Sequence, residues 1–204
     1  YNLLNKKASY LDTGTWASNA IKEAKLFGEV DVVASSKDKN YTYIPKGYAI
    51  ADDSDYFHFT SNNTIYGTEM RKDPDVKQRL VCDMSSDIFS RPIDISKYDI
   101  IYAGAQKNMG IAGLGVAIIR EDLLQDVAQT TPVLLDYKLM IKNDSMYNTP
   151  PAYAIYVLGL VLEWIDSLGG LEVMKERNKK KAKLIYDYLD QSTFYKAHSD
   201  KENR

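Results

Sequence analysis

The stretch Asp99-Ile100-Ile101-Tyr102-Ala103-Gly104-Ala105-Gln106-Lys107-Asn108-Met109-Gly110 decides how this chain is read. Its first half is a short apolar run of β-branched and aromatic residues, the composition of a strand. That strand, predicted over Asp99 to Ala103, opens directly onto Gly104 and then onto a lysine. Working outward, Arg79 to Met84 reads as a strand containing Asp83 near its end, and Tyr56 to Thr60 reads as another. Val30 to Ser35 follows the same pattern, as does Leu114 to Arg120 after the glycines at 110, 113 and 115. Helical patterns occupy other intervals. One runs from about Trp16 to Phe27, with Thr13 or Thr15 as its cap. A short amphipathic one is expected from Arg120 to Ala128. A third begins at Pro150-Pro151, residues suited to a first turn, and runs to Leu168, where Gly169-Gly170 stops it. The last covers Leu171 to Asp190. Strand runs alternating with helices predict a layered α/β domain.

The 204 residues suit one domain with a sizeable core. Hydrophobic residues make up 45% and charged residues 26%, a globular balance that argues against disorder along the whole chain. A formal net charge of -2 leaves no excess positive charge to neutralise a phosphate backbone, so nucleic acid is set aside as a partner. The lone cysteine, Cys82, permits no internal disulfide and fits a reducing compartment such as the cytoplasm. Tyr1 to Lys7 leads into no apolar signal segment. The apolar-rich stretch Ala152 to Leu162 is interrupted by Glu163 and is too short for a bilayer, so no membrane partner is expected. The run Asn178-Lys179-Lys180-Lys181 reads as a solvated helix face.

In open α/β sheets, ligands bind outside the carboxyl ends of the strands. Asp83, Thr64 and Lys107 each follow or close a strand run, which would bring them to one edge. A desolvated lysine titrates lower and can form a Schiff base with a carbonyl. A pyridoxal cofactor needs that lysine and an acidic partner for its ring nitrogen. Asp83 precedes Lys107 by 24 residues, enough for one crossover connection. Plain structural alternatives stand beside these readings. A strand-end lysine can be a solvated surface residue, Asp83 can cap a turn, Thr64 can close one, and Trp16 can pack in the core. The glycine cluster lacks the order of a dinucleotide motif. His58 reads as a satisfied strand histidine and Cys82 as buried and inert.

Resemblance adds weight. Tyr102-Ala-Gly-Ala-Gln-Lys-Asn-Met-Gly110 resembles the lysine segment of phosphoserine aminotransferases, and Ser85-Ser-Asp-Ile-Phe-Ser-Arg-Pro-Ile-Asp94 resembles the sequence just before it. Tyr56-Phe-His-Phe59 with Asn63-Thr-Ile-Tyr-Gly67 is similar to that family's strand and Asn-x-Thr-like turn. Thr13-Gly-Thr-Trp-Ala17 and Ser145-Met-Tyr-Asn-Thr-Pro-Pro151 resemble its Thr-Gly-x-Trp and Asn-Thr-Pro-Pro segments. The matches occur in the family's order and cover nearly the whole chain.

The resemblance implies a three-layer large domain of fold type I pyridoxal-phosphate (PLP) enzymes, with a mostly parallel mixed sheet flanked by helices. It implies that Lys107 is the catalytic residue, forming the internal aldimine and moving the proton between substrate and cofactor. Asp83 would pair with the pyridine nitrogen, Trp16 would stack on the ring, Thr64 would bond the 3′ oxygen region and Gln106 would help grip the phosphate. Asn148 and Thr149 would reach the cofactor of a partner subunit, which makes the enzyme a homodimer. The implied reaction is transamination between glutamate and 3-phosphohydroxypyruvate in serine biosynthesis; the sequence leaves open whether the related phosphohydroxythreonine of pyridoxine biosynthesis is also a substrate. Residues 1–170 would belong to the large domain, and 171–204 would lead toward a small domain. The family's phosphate-site Gly-Arg pair, its His-Arg substrate segment and its C-terminal substrate arginine have no matching positions here. Two alternatives stay open: another fold type I aminotransferase, or a non-catalytic truncated chain of the same fold.

Overall fold

The run Ile100 to Gly104 is a strand, and the sheet is built around it. In the computed structural model, which describes residues 2–126 and 131–204, the elements in chain order are β1 (Lys7–Asp12), α1 (Thr15–Ala24), β2 (Glu29–Ser35), β3 (Phe57–Thr60), β4 (Asn62–Asn63), β5 (Thr68–Glu69), β6 (Leu80–Asp83), β7 (Ile100–Gly104), β8 (Gly115–Ile119), α2 (Tyr137–Lys142), α3 (Ala152–Ser167) and α4 (Gly170–Gln191). Six strands form one sheet in the order β2-β1-β3-β6-β7-β8. All neighbours are parallel except β7 and β8, which pair antiparallel. β4 and β5 make a separate small hairpin.

Alternation along the strands sends side chains to two cores, which gives the three layers. On one face Tyr10, Val81 and Ile100 meet Ile21 and Ala24 of α1. On the other, Leu11, Phe57, Phe59, Cys82 and Ile101 pack with Met70, Met84, Ile88 and Met109, and Leu158 of α3 lies against them. Asp99 holds three strands in register at their far end. Its carboxylate accepts the Leu80 N–H at 2.6 Å and pairs with Arg120 at 2.7 Å.

Several expectations are corrected. β1 escapes the sequence reading because Ala8-Ser9 carries little strand propensity and two lysines precede it, yet β1 sits inside the sheet and is buried over Ala8 to Leu11. Neither Thr13 nor Thr15 caps α1; Gly14 occupies that position without a side-chain bond. The threonine hydroxyls are spent elsewhere, Thr13 on Asn63 and Thr15 on Tyr66. Glu121–Asp126 forms tight 3-10 turns rather than the expected α-helix, and the last two residues of that expectation, 127 and 128, lie outside the described residues. The other helices follow expectation closely. α3 and α4 meet at an 85° bend, where Gly169 and Gly170 both take positive φ. Among the described residues, no single helix is long and apolar enough to cross a membrane.

Candidate active site

Four parallel strands deliver their carboxyl ends to one edge of the sheet. β1 ends at Asp12 and turns through Thr13-Gly14 into α1. β3 and β6 end side by side, with Thr60 in register with Asp83. β7 ends at Gly104, and its following turn carries Gln106 and Lys107.

Asp83 is held in one orientation. Its Oδ1 accepts the Ser85 N–H at 2.9 Å and the Ser85 hydroxyl at 2.7 Å. Among the described residues no hydrogen bond engages Oδ2, which leaves an acceptor for a ligand donor. The Ser85 oxygen in turn accepts the Gly104 N–H at 3.2 Å, tying the end of β6 to the end of β7.

Lys107 is exposed, because its turn carries it past the sheet edge; it is not the desolvated lysine expected from the sequence. Its ammonium stands 5.9 Å from the centroid of the Trp16 ring. Trp16, in the first turn of α1, is 48% exposed, which excludes the core-packing alternative. Gln106 folds back over Gly104, and a Cβ at residue 104 would collide with the Gln106 amide. Gly14 makes the second close approach: a Cβ there would lie 2.9 Å from Asn63 Oδ1 and 3.2 Å from the Tyr66 ring. Those two glycines let the turns after β1 and β7 sit tightly against their neighbours.

Thr64 is exposed on the turn joining β4 to β5. Its neighbour Asn63 is buried and accepts the Thr13 hydroxyl at 3.2 Å. Asn148 and Thr149 are exposed on the segment between α2 and α3, and no hydrogen bond among the described residues joins them to the Lys107 edge. The structure thus brings Asp83, Gln106, Lys107 and Trp16 to one edge and leaves Asn148 and Thr149 apart from them.

Sequence reasoning missed a polar layer beneath this edge. His58 Nδ1, Thr60 Oγ1, Asn63 Nδ2 and Thr68 Oγ1 are buried and have no hydrogen-bond partner. Buried polar groups are nearly always paired, so unspent donors and acceptors gathered on β3 and the adjoining β4–β5 hairpin mark a place built for something polar. His58 is therefore only half satisfied, contrary to expectation. Its Nε2 lies 2.9 Å from the Tyr102 hydroxyl, and its ring stacks on Tyr10 at 4.7 Å. Burial pushes the imidazole down to about 4, against the pull of Asp83. Burial, reinforced by Asp83, raises the Tyr102 phenol, so that phenol stays neutral and is able to donate to Nε2. With Tyr102 as the donor, the ring proton of the neutral imidazole sits on Nδ1. Cys82 is buried as expected, and burial drives its thiol well above its ordinary value, which rules out a thiolate.

His58 also gives the fold a pH signature. Its ordinary value is 6.5 and its folded value about 4. Between the two, the unfolded chain binds a proton that the folded chain refuses. This contribution to stability is intact above pH 6.5 and falls away as the pH drops toward 4, by on the order of 3 kcal/mol. Urea midpoints measured across that range are expected to fall for the parent, with a shallower slope for His58→Gln.

These features fit a PLP site by chemistry. A lysine amine faces an aromatic plane, a pinned carboxylate has a free oxygen, and glycine-lined turns allow close approach. The comparisons agree. Residues 5–204 match the model of the class-V aminotransferase family. The chain is 69% identical to a phosphoserine aminotransferase of Parabacteroides distasonis, covering 100% of this chain and 58% of that protein. It is 55% identical to the one from Porphyromonas gingivalis, again over 100% of this chain and 58% of the relative. Among solved structures, one of a phosphoserine aminotransferase studied for radiation damage to its Schiff base superposes with a TM-score of 0.97 at 45% identity, covering 100% of this chain and 58% of that one. The PLP-bound enzyme of Trichomonas vaginalis gives 0.94 at 38%, over 100% of this chain and 59% of that one. The chain thus spans a little over half the length of the relatives it matches. With a family model matched over residues 5–204, this chain belongs to the class-V aminotransferases.

Proposed function

We propose that this chain carries the PLP-binding part of a phosphoserine aminotransferase, which moves an amino group between glutamate and 3-phosphohydroxypyruvate in serine biosynthesis. The observation that carries the reading is the Lys107 ammonium over the Trp16 ring, on the sheet edge that ends in Asp83. PLP, when bound, supplies an aldehyde for the lysine and a ring that accepts electrons from the substrate α-carbon. Lys107 would serve as the nucleophile and as the base that carries the proton. Asp83, with Oδ2 free, would pair with the pyridine nitrogen and keep it protonated. Trp16 would stack on the ring, Thr64 would hydrogen-bond its 3′ oxygen region and Gln106 would help hold the phosphate. The exposure of Asn148 and Thr149 leaves them available to the cofactor site of a partner subunit, consistent with a homodimer with shared sites; the compartment is taken to be the cytoplasm. We also take 1–170 as large domain and 171–204 as the lead into a second domain.

The test is an absorbance spectrum of the purified full-length protein. A visible PLP band is expected, and it should bleach on adding phosphoserine. Absence of the band overturns the reading. A band that responds to other amino donors but not to phosphoserine points to a different fold type I aminotransferase.

A further inference from the structure

The polar layer under the sheet edge carries one inference that rests on the PLP reading and deepens it. His58, Asp83 and Tyr102 occupy three neighbouring strands and one face of the sheet. His58 is in register with Val81, two residues before Asp83 on the same face of β6, and Asp83 is in register with Tyr102. The His58 ring is 3% exposed, stacked on Tyr10 and bonded through Nε2 to Tyr102. Its other nitrogen is buried and unpartnered. On Asp83, Ser85 has taken one oxygen and the other is open. A buried ring nitrogen and a carboxylate oxygen, both unspent, thus share one face.

We propose that His58 is a positioning residue for Asp83: in the loaded enzyme its Nδ1–H donates to the Asp83 carboxylate, fixing the orientation and negative charge of the group that faces the cofactor's pyridine nitrogen. Tyr102 sets this up by donating to Nε2, which selects the tautomer with its proton on Nδ1. Tyr10 sets the plane of the ring by stacking, and its own hydroxyl is engaged with Tyr56 at 2.8 Å. Burial keeps the imidazole neutral over the working pH range, so it acts as a hydrogen-bond donor and brings no charge of its own. The titratable groups facing it are Tyr10, Tyr102 and Asp83 on the strands and Tyr56 just before β3, and Glu23 of α1 and Tyr137 line the cavity of about 400 Å³ that His58 shares with Tyr10, Tyr56 and Tyr102.

The experiment uses the full-length enzyme loaded with PLP labelled with 15N at the ring nitrogen. His58→Asn keeps an amide N–H near the Nδ1 position, whereas His58→Gln keeps a polar group only near Nε2. His58→Gln is expected to move the 15N resonance toward the unprotonated value. Its kcat is expected to fall roughly tenfold, with KM for the amino donor little changed, as for loss of one hydrogen bond to a charged group. His58→Asn is expected to restore most of both. Tyr102→Phe, which changes almost no volume, is expected to shift the resonance in the same direction as His58→Gln. A folded His58→Gln or Tyr102→Phe enzyme with an unchanged 15N shift overturns the proposal, as does a His58→Asn enzyme no better than His58→Gln. A parent protein that takes up no PLP at all overturns the cofactor reading itself, which separates the two failures.

Discussion

Lys107→Ala in the full-length protein is expected to lose transamination by about a thousandfold or more, the loss of both a nucleophile and a proton-transfer group. Lys107 projects from the turn after β7, exposed, with its ammonium 5.9 Å from the Trp16 ring. Alanine removes the amine and leaves the turn intact, because the fold is held by buried neighbours such as Ala105 and Met109. Thermal stability is therefore expected to change by less than about 1 kcal/mol, as for exposed substitutions. PLP should still bind but wash out on gel filtration, since nothing links it covalently. Lys107→Arg keeps the charge and is expected to be as inactive as alanine, which separates nucleophilicity from electrostatics. Steady-state rates and visible spectra check both variants. A Lys107→Ala protein with the parent's absorbance and activity would sink the assignment.

The second large effect belongs to Asp83. Replacement by alanine removes the carboxylate proposed to pair with the pyridine nitrogen and frees the Ser85 N–H and hydroxyl that Oδ1 now accepts. A pyridine nitrogen without an acidic partner is a poorer electron sink, and kcat is expected to fall by roughly a hundredfold or more. Asp83→Asn keeps the shape and loses the charge, and should fall by a similar factor. A PLP analogue methylated at the ring nitrogen carries the positive charge permanently. It is expected to recover part of the rate in the alanine variant and none in the parent. No recovery, together with a collapsed melting temperature, would assign Asp83 a structural role instead.

How far the sequence reaches is clear from particular residues. Ile100-Ile101-Tyr102, Leu80-Val81-Cys82 and Phe57-His58-Phe59 were legible as strands because central parallel strands are buried on both faces and so read as unbroken apolar runs. β1 was not legible: Ala8 and Ser9 are small because α1, β2 and β3 pack closely around them, and that requirement lies elsewhere in the chain. Asp83 and Lys107 stood out because a charged residue directly after an apolar run is conspicuous. Gly104 was visible, but the Gln106 side chain that demands it was not.

The sequence by itself determined the α/β class, the positions of most elements and a lysine at a strand end, because period and breakers act over a few residues. It also placed Asp83 at the end of one strand and Lys107 just after another. Only the tertiary structure decided that β6 and β7 are neighbours, that Trp16 faces Lys107 and that Asp83 keeps one oxygen free. It alone brought His58 to a tyrosine 44 residues away and left one ring nitrogen unpaired. Those facts depend on strand order and register, which are set by closing long loops against a shared core, and no local pattern encodes that closure.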